Sequence, residues 1–216
     1  MIHKLRFIAP SLLFLFPGAL WAHSPIQGLA SFYNGFLHPF LVPAHLLTVL
    51  ALGFLFGQQG ANRMQSAILA YLGASVTGLV VMGYFGLIID VESPLLVMAA
   101  VLGLLVALSR SFPLPFYLFF AVTAGLMLGL DSVQSVYIGK QKLGALVGTG
   151  LGVYLGLLYA TVLAQLLQKR HWMQIAVRIL GSWIGASALL TLTLVLAPKP
   201  VLPPSQKPPV LETSVD

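Results

Sequence analysis

Six long apolar segments separated by short polar connections dominate the chain after its N-terminal region. They cover residues 36–57, 65–89, 94–109, 112–130, 143–167 and 173–197. Most of these segments are long enough to cross a hydrocarbon layer about 30 Å thick as helices rising about 1.5 Å per residue. The pattern therefore predicts an all-α membrane protein, in which a bundle of six transmembrane helices forms a domain over residues 23–197.

The N-terminal region has the pattern of a signal peptide. Lys4 and Arg6 precede an apolar run over residues 7–21, which is short for a membrane span and contains two prolines. A basic start followed by a short apolar core is typical of a secretory signal. We therefore expect cleavage after residue 22, which makes His23 the first residue of the mature chain. The alternative is an uncleaved anchor helix whose N-terminus lies in the cytoplasm.

Charged residues in the connections predict the orientation of the bundle. With the mature N-terminus outside, the basic residues of the inner side are Arg63, Arg110, Lys169 and Arg170, and the acids of the outer side are Asp90, Glu92 and Asp131. This arrangement follows the preference of Lys and Arg for cytoplasmic loops. Lys140 and Lys142 do not follow this preference, because this orientation places them on the outer side. We expect a multi-pass protein of the bacterial inner membrane, with both termini outside and a flexible, proline-rich tail over residues 198–216.

The composition narrows the class of protein further. Only 7% of the 216 residues are charged and 58% are hydrophobic, and the mean hydropathy is +0.96. Such a chain cannot cover a soluble globular surface, so a soluble enzyme, an extended nucleic-acid binder and a disordered protein are all excluded. There is no cysteine and no phosphate-binding loop or hydrolase motif. We therefore expect a non-enzymatic protein of the lipid bilayer that does not bind nucleic acid.

Small residues recur at a spacing of four on three of the predicted helices. The longest stripe consists of Gly144, Gly148, Gly152 and Gly156, and shorter ones are Gly125 with Gly129 and Gly181 with Gly185. Such stripes let helix backbones approach closely inside a membrane. We favour packing within the chain, and the alternative is a homo-oligomer that forms through the longest stripe.

Ionisable residues inside apolar segments are costly and indicate function. His38 and His45 lie seven residues apart in the first segment, about 10.5 Å along a straight helix. Pro39 and Pro43 favour a break in that helix. Three interpretations stay open: two successive stations on an ion path, a folded first turn that brings both rings together, or two histidines that only pack the bundle.

Acids near the outer ends of the helices are the other candidates for cation chemistry. Asp131 ends the fourth segment, and Asp90 and Glu92 flank the outer end of the second. These acids would concentrate cations at an outer mouth. His23 offers a weaker metal site through its ring and the new terminal amine.

The motifs of this chain resemble those of the HupE/UreJ family of small nickel or cobalt permeases of bacteria. The resemblance rests on residues Ala22, His23, His38, Pro39, His45, Leu46, Leu47 and Gly53, and on Phe120, Ala121, Gly125, Gly129 and Asp131. The family typically has a cleaved signal peptide that ends in Ala-His. Its first span reads His-Pro-x-x-Gly-x-Asp-His, and a later motif reads Phe-Ala-x-x-His-Gly-x-x-His-Gly-x-Glu.

Several ligand positions of the family pattern are changed in this chain. The motif Asp falls on Ala44, and the two later histidines fall on Ala124 and Leu128. The resemblance implies a permease that passes nickel or cobalt by transient coordination to His38, His45 and Asp131, with no tightly bound cofactor. The alternatives are an accessory membrane subunit whose metal site has degenerated, and a transporter of another small solute.

Overall fold

A computed structural model describes residues 30–86, 90–133 and 136–197. This part of the chain forms seven α-helices and contains no strand. The helices are α1 (Ser31–Leu41), α2 (Pro43–Gln59), α3 (Gln65–Phe85), α4 (Glu92–Leu108), α5 (Leu114–Asp131), α6 (Gly139–Leu167) and α7 (His171–Leu196). The predicted signal peptide, His23 and the predicted tail lie outside the described residues. The all-α class is confirmed.

Each of the six apolar segments is mainly helical over its described residues, although the first is divided between α1 and α2. Four helices, α3, α5, α6 and α7, are long and apolar enough to cross a membrane, and the bent pair α1–α2 makes a fifth candidate. Helix α4 is also apolar but has only 17 residues. The chain is therefore a multi-pass membrane protein in its helical part, while the sixth span stays a prediction.

Two connections are shorter than the sequence analysis expected. Helix α6 begins at Gly139, so Lys140 and Lys142 lie in its first turn rather than in a loop. Helix α7 begins at His171, two residues before the start of the last predicted segment at residue 173. Apolar composition marks only the part of a helix that lies in lipid, whereas a polar first turn can extend the helix into the interface.

The break between α1 and α2 follows from the prolines in this segment. Val42 adopts extended angles, φ −87° and ψ 116°, immediately before Pro43. The proline ring clashes with a helical residue in front of it, so the backbone turns at this residue. Pro43 then starts the new helix, where its missing N–H is not needed. The two helices meet at an angle of 70°.

Close glycine contacts organise the bundle into three helix pairs, which are α1 with α6, α3 with α5, and α4 with α7. A Cβ on Gly148 would overlap the carbonyl oxygen of Phe32 in α1. Gly129 approaches the backbone of α3 in the same way, and Gly103 lies against α7. Helix α2 lies mainly between α6 and α4 and is buried along most of its length. The glycine stripes therefore pack helices within the chain, and an oligomer stays a prediction.

Candidate metal-binding site

The helix break brings the two histidines of the first segment together. The rings of His38 and His45 have centroids 5.2 Å apart and cross at 79°. His38 is 4% exposed and His45 is completely buried. A straight helix would hold the rings about 10.5 Å apart, so the bend at Val42 makes this contact possible. The contact matches the interpretation in which a folded first turn brings both rings together, and a role of the rings in binding an ion stays a prediction.

His45 is also paired with a carboxylate from another helix. Its Nε2 atom lies 2.7 Å from Oδ2 of Asp131, the last residue of α5. Asp131 is 11% exposed, so the pair is nearly removed from solvent. A hydrogen bond to a carboxylate fixes the orientation and tautomer of an imidazole. The structure therefore unites three of the predicted residues, His38, His45 and Asp131.

The second ring nitrogen of His45 is the chemically notable atom of this site. Nδ1 is buried and has no hydrogen-bond partner within the described parts of the chain. When Nε2 carries the ring hydrogen and donates a hydrogen bond to Asp131, Nδ1 is unprotonated and has a lone pair. A histidine that donates one N–H to a carboxylate and offers its other nitrogen is the usual arrangement of a metal ligand.

The site does not contain a complete set of metal ligands. Across residues 30–86, 90–133 and 136–197, no group of three or more His, Cys, Asp or Glu side chains is placed to hold an ion. Within this site the structure shows one carboxylate contact and one ring contact of His45, and a role in binding an ion stays a prediction.

The other predicted acids lie at the start of α4. Oδ1 of Asp90 accepts a hydrogen bond from the backbone N–H of Glu92 at 3.1 Å. This is a local contact of an aspartate with the backbone two residues later, just before α4, where Val91 is the N-cap residue. Glu92 belongs to the first turn of α4, where a negative charge is favourable. No contact joins either acid to the histidines, so their role at an outer mouth stays a prediction.

Sequence reasoning missed two buried polar residues on the same helices as the histidines. Asn34 lies four residues before His38 on one face of α1, and it donates a hydrogen bond of 2.9 Å to the hydroxyl of Tyr137. Thr48 lies three residues after His45 and bonds to the carbonyl oxygens of Ala44 and Leu95. Helical spacing from the histidines was the signal that could have identified both residues.

A charge inside the last apolar segment also escaped the sequence analysis. Arg178 lies within α7 and donates a hydrogen bond from Nε to the carbonyl oxygen of Ala107 at 2.9 Å. This carbonyl is near the end of α4, where the backbone lacks a helical partner. The side chain is solvent- or lipid-accessible, so its contact stabilises the end of α4 and does not belong to the histidine site.

A comparison with protein-family models matches residues 11–191 to the family described as HupE / UreJ protein. The match covers most of the chain, including all seven helices except the end of α7. The chain belongs to the HupE/UreJ family. This family is associated with transport of nickel or cobalt, or with an accessory function. No curated protein and no solved structure matches the chain.

The three positions at which this chain lacks a ligand of the family pattern lie in the interior of the bundle. Ala124 and Leu128 are completely buried on the face of α5 that also carries Asp131. Ala44 is completely buried beside His45 in the sequence. Apolar side chains thus occupy interior positions at which the family pattern has potential metal ligands. The interior of this bundle is less polar than that pattern implies.

Proposed function

We propose that this protein passes a divalent transition metal, nickel or cobalt, through the bacterial inner membrane. The observation that carries the proposal is the buried contact of His45 with Asp131 and His38. Imidazole nitrogen is a good ligand for both metals. A site with few ligands binds weakly, which a permeation path needs because each ion must also leave.

We assign different roles to the three residues. Nδ1 of His45 is the first ligand, and the ring of His38 supplies a second imidazole. Asp131 orients His45 and fixes the tautomer of its ring through the hydrogen bond to Nε2. Negative charge on Asp131 also offsets the cost of a cation in the low-dielectric interior.

Metal uptake by cells that express the protein tests this proposal. The double variant His38→Ala, His45→Ala is expected to reduce nickel or cobalt uptake at least about tenfold, because it removes both imidazoles. The matched control is His171→Ala, which removes an exposed histidine at the start of α7 and should leave uptake unchanged. Uptake is measured at equal amounts of protein in the membrane. Equal uptake by wild type and double variant would refute metal transport through this site.

An accessory function is the second candidate, and the apolar replacements at Ala44, Ala124 and Leu128 favour it. In that case neither wild type nor variants transport metal, and the wild-type chain copurifies with another membrane protein in a gentle detergent. Transport of a different solute predicts a third result, in which uptake of that solute is insensitive to both histidine substitutions.

A further inference from the structure

A long apolar groove separates α3 from α6 on the outside of the bundle. Its volume is about 850 Å³, and its walls extend from Leu72 to Tyr84 on α3 and from Gly139 to Tyr154 on α6. The walls are mainly aliphatic and include Val76, Val80, Leu143 and Val147. Each of these four side chains is about half exposed. Together these residues define what we call the α3–α6 groove.

The groove exists because its two walls belong to different helix pairs. Helix α3 packs tightly on α5, while α6 packs on α1 and α2, so α3 and α6 contact each other only weakly. Two glycines keep the floor of the groove open. A Cβ on Gly150 would lie 3.6 Å from Cδ1 of Leu79, and a Cβ on Gly83 would lie 3.2 Å from Cδ1 of Leu146.

The length of the groove fits an acyl chain better than a compact ligand. The twelve steps from Leu72 to Tyr84 correspond to about 18 Å of helix. One leaflet of the hydrocarbon core is about 15 Å thick. Tyr84 is 87% exposed at one end of the groove, and an exposed tyrosine is typical of the membrane–water interface. The groove therefore runs from the interface to about the depth of one leaflet.

Positive charge is concentrated at the interfacial end of the groove. Among the described residues that line the groove, Lys142 is the only charged one, and its Nζ donates a hydrogen bond of 2.6 Å to the carbonyl oxygen of Gly83. An ammonium group has three donors, so this hydrogen bond uses one of them. Lys140 lies two residues earlier on the same exposed first turn, outside the groove lining, and that turn contains no acid. The ion pair found among the described residues joins His45 and Asp131 and involves neither lysine.

We propose that the α3–α6 groove binds an anionic phospholipid of the surrounding bilayer. One acyl chain lies along the aliphatic walls, the phosphate contacts Lys142 at the interfacial end, and Lys140 adds positive charge near it. Basic residues at the membrane end of an interhelical pocket are a common basis for recognition of anionic lipids. The site also accounts for two lysines whose position contradicts the positive-inside pattern, because they attract a headgroup rather than determine the topology.

Native mass spectrometry of the purified full-length chain tests the proposal by titration with phosphatidylglycerol and with phosphatidylcholine of the same acyl chains. The wild type is expected to bind phosphatidylglycerol more tightly. The variant Lys140→Gln, Lys142→Gln is expected to lose at least about fivefold in affinity for phosphatidylglycerol, since each lysine near a membrane surface contributes about that factor. Glutamine removes the positive charge but keeps a polar side chain with a hydrogen-bond donor.

Two further variants separate a defined site from ordinary lipid around the bundle. Lys169→Gln, Arg170→Gln removes the same charge beyond the other end of α6 and should retain the wild-type affinity. Gly150→Phe fills the groove while both lysines remain, and it should also reduce phosphatidylglycerol binding. Equal binding of the two lipids by wild type, equal loss in the two charge variants, or full binding by Gly150→Phe would each overturn the proposal.

Discussion

Gly148→Leu is expected to abolish accumulation of folded protein, whereas Gly73→Leu is expected to leave it nearly unchanged. A Cβ on Gly148 would overlap the carbonyl oxygen of Phe32 and would lie 2.9 Å from the backbone nitrogen of Phe36. Both obstacles are backbone atoms of α1, so a side chain can enter only if α1 moves away from α6. Gly73 has no atom within 4 Å of its Cβ position, which makes it a matched control in a helix.

The displacement of α1 has a large cost because that helix also carries His38. Inserting even one or two methylene groups into a close-packed interior costs about 1–3 kcal/mol, and leucine adds four carbon atoms against backbone that cannot rotate away. We expect less than about a tenth of the wild-type yield, since 1.4 kcal/mol already corresponds to a factor of ten. The measurement is the amount of monodisperse protein on size-exclusion chromatography at equal expression.

The same experiment distinguishes packing within the chain from assembly between chains. A Gly148→Leu protein that elutes as a well-folded monomer, while the wild type elutes as a dimer, would place the stripe between two copies. Wild-type elution by Gly148→Leu would contradict both interpretations of the stripe. Only loss of folded protein agrees with the contact between Gly148 and α1.

The helices were predictable because each element of the pattern is local. Among the described residues, apolar runs predicted the helices α3 to α7 and the region that α1 and α2 share. The spacing of four residues between Gly125 and Gly129 predicted close packing before any partner was known. The partner itself, α3, could not be predicted, because each glycine stripe fits the backbone of any neighbouring helix. The predicted helix ends were less accurate, as at Lys140 and Lys142. Polar residues at the membrane interface can be helical, so the end of an apolar run does not mark the end of a helix.

The residues of the candidate site could be predicted from the sequence, but the contacts between them could not. Pro39 and Pro43 indicated a break, yet two prolines do not determine its angle or the contact of His38 with His45. The pairing of His45 with Asp131 joins residues 86 positions apart and depends on how α5 packs beside α2. No local pattern contains that information. Asn34 and Thr48 were missed because a single polar residue in an apolar helix carries little signal without its partner.

Asp131→Leu is expected to destabilise the protein more strongly than the double variant His45→Leu, Asp131→Leu. In the single variant, Nε2 of His45 stays fully buried without its carboxylate. Leaving a buried hydrogen-bonding group unsatisfied costs about 1–3 kcal/mol, whereas replacing both partners with apolar residues can be nearly neutral. The double variant should therefore recover most of the folded yield, a difference of about tenfold in the folding equilibrium.

Transport assays of the same variants separate the structural contribution of the pair from its function. We expect the double variant to fold but to show no metal uptake above that of cells without the protein, because His45 and its orienting carboxylate are both absent. His171→Ala removes an exposed histidine outside the pair and serves as the control for folded yield and for the pair's role in uptake. An equal loss of folded yield in Asp131→Leu and in the double variant would show that His45 and Asp131 do not stabilise the protein through their mutual contact. Normal uptake by the folded double variant would show that the buried pair stabilises the bundle without taking part in transport.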